Sequence, residues 1–241
     1  MGFVDCHSHV VPSGDDGVSS IAEGLALCRT AAERGTDVLF ATPHVLPYLT
    51  LSDEREAAIR AAYETMRPQA GLELRLGFEL TPDRRLLDED PARYELGGTG
   101  CVLMEVPFTG PADLFIRVAE HLGDEGFQVV VGHPERTESV LSDPGLAGEL
   151  AARGWLLQVN ATSLLGRHGG EIEELAWRLL EDGTAALIAS DGHRATRPPF
   201  LDEAYASAVD LLGESAVGLF DGSALGLSRR RIPSRAASRG A

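Results

Sequence analysis

The segment Phe127-Gln-Val-Val-Val-Gly-His-Pro-Glu-Arg136 decides the fold, because it joins a nearly continuous apolar run to a cluster of polar side chains. Continuous apolar runs of this length are typical of parallel strands that are buried on both faces, whereas half-exposed strands alternate polar and apolar residues. The segment therefore predicts a buried parallel strand that carries functional side chains at its carboxyl end.

Six more apolar runs of this kind lie along the chain, and neighbouring runs start 26 to 35 residues apart. That interval is the length of one strand plus a crossover helix. Seven such units predict an α/β fold with parallel strands, either a closed barrel or an open doubly wound sheet. The predicted strands are Phe3–Cys6, Val38–Ala41, Glu73–Phe78, Cys101–Val106, Phe127–Val131, Trp155–Val159 and Ala185–Ala189.

Helical patterns fill the intervals between the strands. A capping box at Ser20-Ile-Ala-Glu23 opens a helix that runs to about Arg34. The other predicted helices are Asp53–Gln69, Ala112–Gly123, Leu146–Arg153, Glu171–Glu181 and Leu201–Leu212. Helix ends are predicted from the glycines that follow them, namely Gly35, Gly154, Gly183 and Gly213. We predict one domain over residues 1–227 and a disordered, arginine-rich tail over residues 228–241.

Composition excludes several classes of protein. The 241 residues include 37 acids and 21 bases, every base is an arginine, and the net charge is −16. A Walker A lysine, a Schiff-base lysine and a carboxylated lysine that bridges metals are therefore impossible. So acidic a chain is a poor ligand for nucleic acid, and its apolar runs are too short to span a bilayer.

The cysteines and the amino terminus predict a cytoplasmic protein. Cys6, Cys28 and Cys101 are odd in number and lie within apolar patterns, which predicts buried free thiols in a reducing compartment. The first residues show no basic region followed by an apolar stretch, as a signal peptide would. The sequence leaves the oligomeric state open.

Nine histidine and carboxylate side chains end or follow the predicted strands. In a parallel barrel all the carboxyl ends of the strands open on one face, so these side chains would converge on one mouth, which favours the barrel. Imidazole and carboxylate together suit Zn, Mn and Fe. Nine ligands are too many for one tetrahedral ion and predict two or three metals that share bridging carboxylates. The nine are His7, His9, Asp16, His44, Glu79, Glu105, His133, Asp191 and His193.

Several of these residues could also be explained by ordinary structural roles, without a metal site. A His-x-His pair can be ordinary packing, and the stretch from Asp191 to His193 can be a turn. Glu105 argues for a site, because an unpaired carboxylate inside an apolar strand is costly and calls for a cation. Five of the seven histidines follow a predicted strand, which packing alone does not explain. His121 falls within a helix as a surface or packing residue, and His168 in a glycine-rich loop has no assigned role.

The sequence resembles the PHP (polymerase and histidinol phosphatase) superfamily and, within it, the manganese-dependent tyrosine-protein phosphatases of bacterial capsule and exopolysaccharide operons. The resemblance implies a distorted, seven-stranded, TIM-like (β/α) barrel with a metal site at its C-terminal mouth. The segments that carry it are Asp5-Cys-His-Ser-His9, Asp15-Asp-Gly17, Ala41-Thr-Pro-His44, Gly77-Phe-Glu79, Leu103-Met-Glu105, Gly132-His-Pro-Glu-Arg136, Gln158-Val-Asn160, Ala189-Ser-Asp-Gly-His193 and Arg197-Pro-Pro199.

The resemblance also implies how the side chains divide among three divalent ions, with Mn expected and Zn or Fe as alternatives. The ligands would be His7, His9, Glu79 and Asp191 for the first ion, Asp16, His44 and His193 for the second, and Glu105 and His133, with Glu79 bridging, for the third. Arg136 and Arg197 match family positions that bind the phosphate.

These features predict a phosphoesterase in which metal-activated hydroxide attacks the phosphorus of phosphotyrosine on a protein, expected to be a bacterial tyrosine kinase of polysaccharide export. A metal lowers the pKa of its bound water to about 7, and a phenol leaving group with a pKa of about 10 needs little protonation. The alternatives are a PHP-type phosphatase of a small phosphomonoester such as histidinol phosphate, another metallohydrolase such as an amidohydrolase or a barrel DNase, and a scaffold that binds a kinase without turnover.

Overall fold

The computed structural model describes residues 2–227, which form parallel strands alternating with helices. The strands are β1 (Phe3–Asp5), β2 (Thr36–Ala41), β3 (His44–Val45), β4 (Glu73–Leu76), β5 (Glu79–Leu80), β6 (Cys101–Glu105), β7 (Gln128–Gly132), β8 (Leu156–Asn160) and β9 (Ala185–Ala189). The helices are α1 (Ile21–Glu33), α2 (Asp53–Met66), α3 (Asp113–Asp124), α4 (Glu138–Ser142), α5 (Gly145–Ala152), α6 (Ala161–Leu164), α7 (Gly170–Glu181) and α8 (Asp202–Leu212).

The strands form two parallel sheets, with the orders β1-β2-β4 and β3-β5-β6-β7-β8-β9. The sheets continue into each other, because β3 prolongs the line of β2 and β5 prolongs the line of β4. The Gly77 amide donates to the Ala41 carbonyl (2.9 Å) and the Glu79 amide to the Pro43 carbonyl (3.2 Å), so the two lines stay paired across the breaks. The prediction of one unbroken strand over Glu73–Phe78 is therefore wrong, although the count of seven strand lines is right.

The first and last strand lines meet at their carboxyl ends. Ser8 and Gly192 form a parallel bridge, the His9 amide donates to the Gly192 carbonyl (2.6 Å), and the Asp191 amide donates to the His7 carbonyl (2.9 Å). All seven lines thus surround one mouth in chain order. The predicted parallel, barrel-like α/β architecture is confirmed.

Burial on both faces explains the continuous apolar runs. Val129 and Val131 in β7 pack in the larger core, which includes the helices, whereas Val130 packs with Leu103 and Phe40 in a smaller core formed mainly by strands. All five side chains are fully buried. Because burying such a side chain stabilises the fold by about 1.5–3 kcal/mol, neither face of β7 tolerates polar residues over positions 129–131.

The three cysteines are buried free thiols, as predicted. Burial raises the pKa of Cys28 to about 12 and holds the pKa of Cys6 well above its ordinary value. Neither thiol is a thiolate nucleophile at neutral pH, since such nucleophiles need a lowered pKa.

The predicted caps and stop glycines are present at the helix ends, but the capping box of α1 is shifted by one residue. Ser20 caps α1, because its hydroxyl accepts a hydrogen bond from the Glu23 amide (3.2 Å). The Glu23 carboxylate accepts from the Ser19 amide (2.9 Å) rather than from Ser20, so the predicted capping box is displaced by one residue. The four predicted stop glycines all have positive φ, which glycine adopts without strain.

Two further sequence predictions concern the carboxyl-terminal tail and membrane insertion. The predicted tail, residues 228–241, lies outside the described residues. Within residues 2–227, no helix has the length and apolar character that crossing a membrane requires.

Candidate metal centre

The strand register brings the predicted ligands to one end of the barrel. His44 in β3 pairs with Glu79 in β5, and Glu105 at the end of β6 pairs with Gly132 at the end of β7, directly before His133. The eleven side chains singled out in the sequence all lie at this mouth, and the contacts below connect them.

The first cluster contains His7, His9, Glu79 and Asp191. The two histidine Nε2 atoms lie 3.3 Å apart, and they lie 3.1 and 3.2 Å from Glu79 Oε2. Asp191 Oδ1 lies 3.5 Å from each Nε2 atom. All four residues are buried. Four donor atoms from three strand ends, those of β1, β5 and β9, thus point at one small volume.

The second cluster contains Asp16, His44 and His193. Asp16 Oδ1 lies 3.4 Å from His44 Nε2 and 3.3 Å from His193 Nε2. The Asp16 side chain is 70% exposed, so this cluster forms the open edge of the mouth. His193 Nδ1 lies 2.9 Å from the Asp191 carbonyl oxygen, and this contact orients the ring so that Nε2 faces Asp16.

The third cluster contains Glu79, Glu105 and His133. His133 Nε2 lies 3.0 Å from Glu79 Oε1 and 3.9 Å from Glu105 Oε2. Thr81 donates its hydroxyl to Glu105 Oε1. Glu79 therefore faces the first cluster with one oxygen and this cluster with the other, as a bridging carboxylate would.

The central polar atoms are not satisfied by hydrogen bonds. Glu79 Oε2 and His44 Nδ1 are buried and lack hydrogen-bond partners, although they lie only 2.9 Å apart. A buried polar atom without a partner costs free energy. Imidazole nitrogens and carboxylate oxygens that converge in this way suit divalent cations.

Electrostatics in the mouth favour added positive charge. Burial alone would raise the pKa values of Glu79 and Asp191, yet neighbouring imidazoles hold both well below their usual range. Burial alone would lower the pKa of His44, but the carboxylates of Glu79 and Asp16 raise it to about 10. Without metal, the carboxylates therefore favour the protonated form of His44. Divalent ions would supply that charge instead.

Backbone strain marks two of the candidate ligands. Among residues 2–227, His133 (φ 33°) and Asp191 (φ 51°) are the non-glycine residues with positive φ. Such conformations cost about 1–3 kcal/mol each and persist where the surrounding structure enforces them, often at functional sites. His133 directly follows β7, and Asp191 lies two residues beyond the end of β9, so both strained positions are at strand ends that open on the mouth.

Two arginines border the clusters. Arg136 Nη1 donates to Asp191 Oδ2 (2.9 Å), and Arg197 Nη2 lies 3.6 Å from Asp191 Oδ1. Arg197 Nη2 also contacts His193 Nδ1. Each guanidinium keeps further N–H groups that these contacts do not use, and a planar fork of this kind suits phosphate oxygens.

Asp15 was missed as a site residue in the sequence. Its Oδ2 accepts from the His44 amide (3.0 Å) and lies 3.7 Å from His9 Nδ1. Burial would raise its pKa, but His9 and the other hydrogen-bond donors hold that pKa well below its usual range. The pair Asp15-Asp16 was visible, but which carboxylate faces which neighbour depends on the loop. Gly17 lets that loop approach, because a Cβ there would lie 2.6 Å from the His9 carbonyl oxygen.

His168, which had no assigned role, also lies near the mouth. Its Nε2 lies 2.8 Å from the hydroxyl of Thr162, two residues beyond the end of β8. Burial and then the positive charges of Arg136 and Arg197 lower the pKa of His168 to about 4. The imidazole is therefore neutral at physiological pH.

This lowered pKa gives a pH prediction for the metal-stripped protein. The unfolded state binds a proton at His168 below about pH 6.5 and the folded state only below about pH 4, so stability falls as the pH is lowered through that window. We expect His168→Gln to lose less stability than wild type between pH 6.5 and 4.5 in urea unfolding. His121→Gln, in α3, is the control. Equal pH slopes for all three proteins would contradict the assignment.

An aromatic side chain lies beside the third cluster. The Phe108 ring stacks on His133, with centroids 5.4 Å apart and an interplanar angle of 17°, and the Arg136 guanidinium carbon lies 5.1 Å from the ring centroid. The Phe108 carbonyl accepts from the Glu138 amide (2.9 Å), which fixes the loop. Because the side chain is 43% exposed, it leaves apolar surface at the mouth.

The match to a known protein family spans all residues of the candidate site. The family model for capsular polysaccharide synthesis proteins of the CpsB/CapC type matches residues 3–219. The Staphylococcus aureus protein CapC is 29% identical over 205 residues, which cover 83% of this chain and 80% of CapC. The Bacillus subtilis tyrosine-protein phosphatase YwqE is 28% identical over 209 residues, which cover 79% of this chain and 77% of YwqE.

Solved structures share the architecture. A structure from work on YwqE of Bacillus subtilis and CpsB of Streptococcus pneumoniae, described as metal-dependent tyrosine phosphatases, matches with a TM-score of 0.79 and 25% identity, over 88% of this chain and 89% of that one. The phosphotriesterase homology protein of Escherichia coli shares the fold alone, with a TM-score of 0.60 and 11% identity, over 93% of this chain and 98% of that one. The family match includes every strand end that carries a candidate ligand.

Proposed function

The chain belongs to the CpsB/CapC family of capsular polysaccharide synthesis proteins, and from this membership and the geometry of its mouth we propose that it is a metal-dependent protein-tyrosine phosphatase. The family resemblance noted in the sequence is thereby confirmed. The observation that carries the proposal is the position of Glu79, which faces three clusters of donor atoms beside two arginines.

Charge explains how an acidic protein attracts phosphate. The ligand carboxylates are those of Asp16, Glu79, Glu105 and Asp191. Three divalent ions would outweigh them by two positive charges, to which Arg136 and Arg197 add two more. The mouth would therefore attract a phosphate dianion although the chain carries a net charge of −16.

When bound, divalent ions supply a water of lowered pKa and neutralise charge on the phosphoryl oxygens. His7, His9, Glu79 and Asp191 would hold one ion, Asp16, His44 and His193 another, and Glu105, His133 and Glu79 a third. Arg136 and Arg197 then orient the phosphate and stabilise charge on its equatorial oxygens. Mn is the proposed metal because the sequence resembles manganese-dependent phosphatases, whereas the donor set itself also accepts Zn and Fe.

The proposed mechanism does not need a general acid, because the leaving group is a phenolate. Phenol has a pKa of about 10, so phenolate departs with less protonation than an alkoxide. Phe108 adds apolar surface where the phenyl ring of phosphotyrosine would enter. Both features favour an aromatic phosphomonoester over an aliphatic one.

We expect Phe108→Ala to lower kcat/KM for a phosphotyrosine peptide about 2- to 10-fold, which corresponds to the 0.5–1.5 kcal/mol of an aromatic contact. The value for glycerol 2-phosphate should change little, because that substrate has no ring. Leu211→Ala is the matched control, since Leu211 is an exposed apolar residue on α8. If both substrates lose activity equally, Phe108 supports the fold of the loop instead of contacting substrate.

A substrate panel tests the proposal. Hydrolysis of a phosphotyrosine peptide, a phosphoserine peptide and histidinol phosphate is measured with the Mn²⁺-loaded protein. The proposal predicts the highest kcat/KM on phosphotyrosine. Preference for histidinol phosphate would keep the metal centre and assign the enzyme to a small phosphomonoester, which is the alternative function.

The physiological setting is part of the proposal. The substrate would be a phosphorylated protein, and we propose a bacterial tyrosine kinase of polysaccharide export, in line with the family description. The three free thiols support a cytoplasmic location, because disulfides are rare in reducing compartments.

A further inference from the structure

Two amides behind the mouth connect two candidate ligands of the first cluster. Gln158 lies near the carboxyl end of β8, Asn160 is the last residue of that strand, and both are fully buried. Because residues i and i+2 of a strand point to the same face, the two side chains lie side by side behind His7 and Asp191.

The contacts form one continuous chain. Gln158 Oε1 lies 3.0 Å from His7 Nδ1, and Gln158 Nε2 donates to Asn160 Oδ1 (2.8 Å). Asn160 Nδ2 donates to Asp191 Oδ2 (2.9 Å). We name Gln158 and Asn160 the amide chain.

Chemistry fixes the direction of every bond in the amide chain. An ionised Asp191 can only accept, so Asn160 must turn its NH₂ group toward it and its oxygen toward Gln158. Gln158 must then donate to Asn160 and present Oε1 to His7. Since Oε1 can only accept, His7 must carry a proton on Nδ1, which leaves the lone pair of Nε2 directed into the first cluster.

The other end of the amide chain orients Asp191. Its Oδ2 accepts from Asn160 and from Arg136 Nη1, both at 2.9 Å. Oδ1 is left to face His7 and His9, at 3.5 Å from each Nε2 atom. One buried chain thus fixes the tautomer of one ligand and the rotation of another.

We propose that Gln158 and Asn160 are positioning residues that hold His7 and Asp191 ready to bind one divalent ion. Outer partners of metal ligands are often carboxylates. A neutral amide orients His7 without adding negative charge to a mouth that already contains four ligand carboxylates. This inference rests on the metal centre of the proposed function.

The test compares Mn²⁺ affinity by calorimetry in wild type, Gln158→Met and Gln158→Glu. Methionine removes both hydrogen bonds and keeps a similar volume. Outer-shell losses typically cost 10- to 100-fold in affinity, and we expect that loss for Gln158→Met, measured at a temperature where the metal-stripped variant is fully folded. Gln128→Met is the control, because the Gln128 amide donates to carbonyl oxygens at the other end of the barrel.

A spectroscopic signature separates positioning from general packing. In ¹⁵N-labelled, Zn²⁺-loaded protein, the His7 Nδ1 proton should give a slowly exchanging, downfield resonance in wild type. The resonance should persist in Gln158→Glu, which still accepts from His7, and disappear in Gln158→Met. Gln158→Glu should nevertheless bind Mn²⁺ more weakly than wild type, because a carboxylate cannot donate to Asn160.

The possible results distinguish a failure of the proposed metal centre from a failure of the amide chain alone. Wild-type protein that binds neither Mn²⁺ nor Zn²⁺ would contradict the metal centre and this inference together. Equal Mn²⁺ affinity in wild type and Gln158→Met would overturn the amide chain alone. A wild-type His7 that lacks the Nδ1 proton would do the same without any variant.

Discussion

Replacing Glu79 by glutamine is expected to lower kcat/KM for a phosphotyrosine peptide by about 10³-fold or more, a loss of about 4 kcal/mol in transition-state stabilisation. Glu79 is fully buried, and its two oxygens face His7, His9, His44 and His133. An amide of the same shape keeps the volume but removes the negative charge that all three clusters share. The measurement is steady-state kinetics at saturating Mn²⁺.

A second measurement on Glu79→Gln distinguishes loss of metal from loss of fold. Added Mn²⁺ raises the melting temperature of a protein that binds it in the folded state. We expect that rise in wild type and in Glu56→Gln, which loses an ion pair with Arg93 outside the mouth, but not in Glu79→Gln. A fully active Glu79→Gln with an undiminished Mn²⁺ response would overturn the bridging role.

Replacing Arg136 by alanine is expected to lower kcat/KM by about 10²- to 10³-fold, the usual cost of one donor to a developing charge. The guanidinium shares Asp191 Oδ2 with Asn160 and leaves other N–H groups for phosphate oxygens. Lysine should restore little activity, because a single ammonium cannot reproduce the bidentate fork. The readout is kcat and KM at saturating Mn²⁺ for wild type and both variants.

Arg178→Ala is the control for Arg136, because Arg178 pairs with Glu174 on the outside of α7. Its kinetics should match those of wild type. Since Arg136 also touches Asp191, Mn²⁺ affinity must be measured in Arg136→Ala as well. Unchanged kinetics in Arg136→Ala at full metal loading would remove this residue from the phosphate site.

The strand pattern predicted how the ligands come together, because parallel strands must end on one face. Glu105 shows the strength of this argument, since a carboxylate in an apolar strand required a partner, and the structure places His133 and Thr81 beside it. The strand topology thus places five histidines and four carboxylates at one mouth, although they are spread along the chain from His7 to His193. Which ion each of them holds stays a proposal.

Other features depend on long-range geometry that spacing does not encode. The breaks between β2 and β3 and between β4 and β5 arise at Pro43 and Gly77, where the two lines bend together. Asp15 and Asp16 are neighbours in sequence but face different histidines. The role inferred for Gln158 follows from the direction of hydrogen bonds, which only the folded chain defines.

Hydrolysis of a phosphotyrosine peptide by metal-stripped protein, followed while Mn²⁺ is added, tests the central claim most directly. We predict no turnover without metal and a saturable rise as Mn²⁺ binds, reversed by a chelator. Equal turnover in the stripped and loaded protein, or no turnover when Mn²⁺ is demonstrably bound, would contradict the claim that this mouth is a metal-dependent phosphatase site.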